Sequence, residues 1–125
     1  MNESSNIDKK FQKELNAGIS ALVLMRVLDG AREPMYGYQI AKMIASEQQD
    51  SGGLKQGVLY PVLRSLEESG LLVSSVEPSV SGPPRRYYEI TPSGHETLGR
   101  WIHIWKQSQA FVNTILEGET HVSVG

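Results

Sequence analysis

The stretch from Gly57 to Leu72, GVLYPVLRSLEESGLL, constrains this 125-residue chain more than any other. Its apolar residues, Val58, Leu59, Val62, Leu63 and Leu66, recur at the spacing of one stripe along an α-helix. Gly70 supplies the stop, because glycine accepts the left-handed conformation favoured at a helix C-terminus. Proline costs about 3 kcal/mol inside a helix but little in its first turn. Pro61 therefore predicts a helix that begins close to Val58–Tyr60, or is bent there. The opposite face carries Tyr60 and Arg64, with Glu67 and Glu68 a turn later. Taken alone, this helix serves equally well as a reading head for a DNA groove or as an ordinary amphipathic helix.

The flanking segments narrow the choice. Met1 to Asp8 is polar and expected to fray. From Lys9, Phe11, Leu15, Ile19, Leu22, Val23 and Val27 recur at threes and fours, and Ala21 to Leu28 is apolar nearly all round. That marks a helix central to the fold, ended by Gly30. Ala31 to Pro34 reads as a loop. A second helical stripe follows over about Gly37 to Glu47, and Gln48 to Gly53 is a polar connector. Beyond Gly70 the period changes: Leu71, Val73 and Val76 read as a short strand. Glu77 to Pro84 is dense in proline, glycine and serine, which is turn chemistry. Arg85 to Thr91 alternates, with Tyr87 and Glu89 on one side and Tyr88 and Ile90 on the other, giving the second strand of a hairpin. Thr91 suits a helix N-cap and Pro92 the first helical position. The last helix is expected to run to about Glu117, stopped by Gly118.

The predicted fold is thus mainly α with a small β-hairpin: a winged helix-turn-helix plus a long C-terminal dimerisation helix. The expected boundaries are a flexible N-terminus (1–8), the winged domain (9–91), the C-terminal helix (92–117) and a flexible tail (118–125). In such a fold the third helix enters the major groove and the hairpin lies over a phosphate backbone or minor groove.

Composition removes other classes. The chain has no cysteine, which excludes disulfides and thiolate metal sites. A net charge of −2 means that any DNA-binding charge must be local. No apolar run approaches the roughly 20 residues of a membrane span, and no signal peptide is seen, so the expected compartment is the cytoplasm. No phosphate-binding loop, dinucleotide fingerprint or nucleophile elbow occurs, so no catalytic residue, enzyme activity or cofactor is expected. His95, His103 and His121 lack the carboxylates that would complete a metal cluster, and His95 is expected to pack or cap at a helix start.

Four motifs, YGYQI (Tyr36–Ile40), GVLYPVLRSLEESGLL (Gly57–Leu72), RRYY (Arg85–Tyr88) and ITPSG (Ile90–Gly94), resemble in order and spacing the PadR family of bacterial transcriptional regulators. The resemblance extends over roughly residues 17 to 117. It implies a homodimeric winged-helix repressor of near-palindromic operator DNA, in the short form with one C-terminal helix. The hairpin departs from the family: SGPP (Ser81–Pro84) stands where members often carry glycines and more basic residues. That stiffens the wing and lowers its charge.

The candidate DNA contacts are Tyr38, Lys55, Gln56, Tyr60, Arg64, Arg85 and Arg86. The resemblance favours Tyr60; Lys55 and Gln56 are placed by their position in a winged helix. Arg64 either reaches DNA or pairs with Glu67 or Glu68. Arg85 and Arg86 are adjacent on a strand and point to opposite faces, so one faces DNA while the other pairs or packs. Of Tyr36 and Tyr38 one belongs to the core and the other offers its hydroxyl to a phosphate; the pattern does not decide which, and Tyr38 is counted among the contacts. Trp101 and Trp105, four apart on one helical face, are the candidate ligand-binding residues. Their bland reading is a dimer seam shared with Leu98, Ile102 and Val112. In multidrug-sensing relatives of the family a tryptophan of this helix stacks on flat aromatic compounds in a pore between subunits. Trp105, eleven residues after Gly94, falls at the matching place, so the resemblance implies a planar aromatic effector. The function expected is repression of operator DNA by a homodimer that an effector releases. The alternatives are a small-molecule-sensing dimer with weak DNA binding, and a winged-helix protein-interaction module.

Overall fold

The computed structural model describes residues 3–47 and 56–118; the expected connector at Gln48 to Gly53 and the tail beyond Gly118 lie outside them. The order is α1 (Glu3–Gly30), β1 (Met35–Tyr36), α2 (Gly37–Glu47), α3 (Gln56–Glu68), β2 (Leu72–Glu77), β3 (Arg85–Ile90) and α4 (Pro92–Glu117). This is the winged helix-turn-helix with its long last helix.

The apolar middle of α1 does form the centre. Leu24, Met25 and Leu28 are buried, and Ile40 and Ile44 of α2, with Leu59, Leu63 and Leu66 of α3, close over them. Each helix buries one stripe at helical spacing, as an amphipathic segment must. The α3 stop is a Schellman motif. Gly70 has φ 81°, its N–H donates to the Glu67 carbonyl (2.9 Å), and the Leu71 N–H donates to the Leu66 carbonyl (3.0 Å).

Three boundaries differ from expectation. The helix expected from Lys9 begins at Glu3, so part of the stretch expected to fray is helical. The third helix starts at Gln56, before Val58, and holds Pro61 inside it; proline there offers no N–H to the carbonyl one turn back. The hairpin is joined by an unexpected third strand, giving the sheet order β1-β3-β2. Met35 pairs with Tyr88 and Tyr36 with Tyr87, while β2 and β3 pair from Leu72 with Ile90 to Glu77 with Arg85. All pairs are antiparallel. Met35, Tyr88, Arg86 and Ser74 therefore share the inner face, and Tyr36, Tyr87 and Arg85 the outer one.

Candidate nucleic-acid interface

With the Leu59, Leu63 and Leu66 stripe buried, the far side of α3 is left to solvent. Tyr60 is 37% exposed and Arg64 is exposed. Among the described residues Arg64 forms no ion pair, so of its two alternatives the pairing with Glu67 or Glu68 is not the one seen. The Tyr60 ring also lies over the start of α2: a Cβ at Gly37 would stand 2.6 Å from Tyr60 Cε1, so any other residue there would push the ring aside. The Tyr36 N–H donates to Gln39 Oε1 (3.0 Å), half of a capping box at the same helix start. Gln56 opens α3, though its side chain is not among those described, and Lys55 lies outside the described residues.

The wing divides its two arginines as strand geometry requires. Arg86 turns to the inner face, where Nη1 donates to Ser74 Oγ (2.9 Å); that hydroxyl donates in turn to Glu67 Oε2 of α3 (2.7 Å). Glu67 thus holds the wing against the helix rather than pairing with Arg64. Burial, and next the Glu67 carboxylate, raise the Tyr88 phenol above its ordinary value, with Arg86 and Arg64 pulling it back. Arg85 lies on the outer face, its guanidinium 4.4 Å from the Tyr36 ring centroid. At the tip the Ser79 hydroxyl sits 2.9 Å from the carbonyls of both Gly82 and Pro83. The loop from Glu77 to Pro84 contains neither lysine nor arginine, so the wing's positive charge is confined to its base. The tyrosine question is also decided. Tyr36 is the packed one, edge-on to Tyr87 at 5.3 Å, while Tyr38 is 53% exposed.

Residues 24–100 match the family described as "Transcriptional regulator PadR-like family". The chain belongs to it. Among solved structures it is similar to a PadR family transcriptional regulator from Eggerthella lenta, at 32% identity over 91% of this chain and 96% of that one, with a TM-score of 0.73. It is also similar to a PadR-like transcriptional regulator from Bacillus cereus, at 25% identity over 85% of this chain and 99% of that one, TM-score 0.67. The transcriptional regulator Rv3488 of Mycobacterium tuberculosis is 36% identical over 67 residues, 54% of this chain and 59% of that protein. This PadR-like chain is accordingly a DNA-binding transcription regulator with a winged-helix fold.

In this regulator α4 is set by its first turn. Thr91 Oγ1 accepts from the Gly94 N–H (2.9 Å) and donates to the Gly70 carbonyl (2.8 Å), tying the N-cap of α4 to the C-cap of α3. A Cβ at Gly94 would collide with the Leu71 carbonyl oxygen. Leu98 is buried in the protomer's own core, with Trp101 and Ile102 packed half-buried against it. Leu98 therefore fills the protomer's own core. Beyond Ile102 the described side chains are exposed, Trp105 at 39% and Phe111 at 67% among them. Both tryptophans border one cleft of about 330 Å³ between α4 and α1, with Gly18 and Leu22 on its other wall. His95 neither caps nor packs a helix start: its Nδ1 lies 2.7 Å from Asp29 Oδ1 and links α4 to the end of α1. Among the described residues no cluster could hold a metal ion, and no helix is long and apolar enough to cross a membrane.

Residues that sequence reasoning missed are Gly37 and Ser74. Gly37 left a trace in the Tyr-Gly-Tyr spacing at a helix start, whereas Ser74 is marked only by its place opposite Tyr88 on β2.

Proposed function

We propose that this regulator is a homodimeric repressor that occupies operator DNA through α3 and the wing, and that an effector releases it. The observation that carries the reading is the two-sidedness of α3. Its leucine stripe is seated on the core while Tyr60 and Arg64 face outward, with Arg85 at the base of the neighbouring wing. Arginine reaching guanine is the commonest base-specific contact, and backbone contacts from the wing fix register. The DNA contacts proposed are Tyr38, Lys55, Gln56, Tyr60, Arg64 and Arg85; Arg86, engaged with Ser74, is assigned to holding the wing.

The dimer is supported by the outer half of α4. Ile104, Phe111, Ile115 and Leu116 are all exposed in the single chain, more apolar surface than a monomer usually displays. Pairing there would set two α3 helices about one DNA turn, 34–36 Å, apart. The cleft beside Trp101 and Trp105 supports effector binding, since an indole face suits a planar aromatic ring. Release then requires that the effector bind two dimer geometries with different affinity.

The test is binding of the purified protein to DNA from its own upstream region and to scrambled DNA, over a range of salt. A repressor binds the first about 10³-fold or more tighter. Equal affinity for both defeats the reading. Quenching of tryptophan fluorescence by planar hydrophobic compounds, lost in Trp105→Ala, tests the effector.

A further inference from the structure

The outer face of the wing joins two of the proposed contacts, Tyr38 and Arg85, to two residues not yet assigned a part, Lys42 and Tyr36. Four side chains from α2, β1 and β3 form one unbroken row. Lys42 Nζ stands 6.0 Å from the Tyr38 ring centroid. Tyr38 stacks on Tyr36 at 6.5 Å with 22° between the planes. Arg85 covers Tyr36 at 4.4 Å, and Tyr87 closes edge-on against Tyr36. A cation thus stands at each end and two aromatic faces lie between. Cations over tyrosine rings are attracted by the ring quadrupole, and an arginine stacked in this way keeps its N–H fork free at the edge. Lys42, Tyr38 and Arg85 are all exposed, and none of the three forms an ion pair among the described residues. The row therefore offers two cations outside any described ion pair, with Glu77 the cross-strand neighbour of Arg85, and a phenol in contact sequence between them, which is chemistry suited to a polyanion backbone.

We infer that Lys42 and Arg85 are the two ends of a phosphate-binding strip on the DNA backbone, and that Tyr36, half-buried between them, is the positioning residue that holds Arg85 in place. This rests on the DNA-binding reading. The physical reason Tyr36 matters is entropy: an arginine on an exposed strand samples many rotamers, and ordering it at each binding event weakens the complex. Pre-stacking on a ring fixed by Tyr87, and by the backbone pairing of β1 with β3, removes that cost beforehand. Lys42 plays the simpler part of a point charge, so it is less sensitive to geometry.

The test is a fluorescence-anisotropy titration of the full chain with labelled upstream duplex and with scrambled duplex, over a range of salt. Each lost phosphate contact should reduce the magnitude of the negative slope of log K against log salt by about 0.9. Arg85→Ala and Lys42→Gln should each do so and should weaken the two duplexes alike. Tyr36→Leu, which keeps the arginine but not its stack, should show part of the loss seen in Arg85→Ala, and the double variant should be no weaker than Arg85→Ala alone. Tyr36→Phe, which keeps the ring, should bind like the parent. Because Tyr36 is half-buried, Arg85→Lys gives a second route on the surface: charge kept, planar stack lost, and affinity down about threefold or more. Additive effects of Tyr36→Leu and Arg85→Ala, or unchanged salt slopes in Arg85→Ala and Lys42→Gln, overturn the strip while operator recognition by the parent stands. A parent that binds both duplexes equally, with no salt dependence, overturns the repressor reading and the strip together.

Discussion

The winged domain and the outer halves of α1 and α4 use the same residue types in opposite ways. In the winged domain Leu24, Met25, Ile40, Leu59 and Leu63 are almost wholly shielded from solvent. Along the first turns of α1, Ile7, Phe11 and Leu15 are exposed, as are Phe111, Ile115 and Leu116 at the far end of α4. Both regions are helical with apolar residues at threes and fours, so local pattern does not distinguish them. The difference lies in what is available to pack against. Around the middle of α1 the chain folds back with α2, α3 and the sheet; beyond Ile102 no described element covers α4. One region is a finished core, and the other reads as half of an interface.

Four measurements would sharpen or break that contrast. The largest effect is expected in the core: Leu63→Ala should cost about 2–5 kcal/mol, read as a lower urea midpoint. A loss under half a kcal/mol would mean that α3 is not seated as described. Next, Phe111→Asp places a charge on the open helix face without touching the domain core. It should raise the dimer dissociation constant roughly 30-fold or more, as loss of an interface anchor does, in a sedimentation dilution series. A dimer as tight as the parent's would move the interface elsewhere. Third, Gly94→Ala forces a methyl group into the Leu71 carbonyl and should cost about 1–3 kcal/mol by shifting α4 off the end of α3. Thermal unfolding of this variant at the parent's midpoint would show that the two caps slide freely.

The smallest effect is a matter of pH. Burial first, then Glu67, raises the Tyr88 phenol above its ordinary 10.0. The folded state therefore holds this proton more tightly than the unfolded chain does. The stabilisation is fully present below pH about 10 and is lost as pH climbs through the raised value. Tyr88→Phe should flatten that alkaline decline while changing little near neutrality. Equal slopes in parent and variant, from urea melts at about pH 8 and about pH 11, would remove Tyr88 as its source.

The helix order, the hairpin and the α3 stop were readable because their signals are local: apolar periodicity, a proline-glycine-serine turn, and a glycine where the backbone needs positive φ. Strand β1 was not, because a two-residue strand has no period of its own and exists only through pairing with Tyr87 and Tyr88 far along the chain. The early start of α1 was missed for a related reason, since polar residues at a helix end carry little periodic signal. At the site, alternation predicted that Arg85 and Arg86 would part to opposite faces. Which one met Ser74 and which met Tyr36 depended on the sheet's neighbours. The same holds for Glu67, for which the sequence offered Arg64 one turn away as one alternative and which meets a serine on the adjacent strand instead.

Taken by itself, the amino-acid order determined which segments are helix or strand, where they stop, and the family to which the chain belongs, because each follows from residues within a few positions of one another. Only the tertiary structure decided which apolar stripe is covered, which tyrosine is packed, and how Lys42, Tyr38, Tyr36 and Arg85 fall into one row. Those outcomes turn on contacts between residues distant in the chain, and a contact of that kind leaves no mark until the backbone has closed around it.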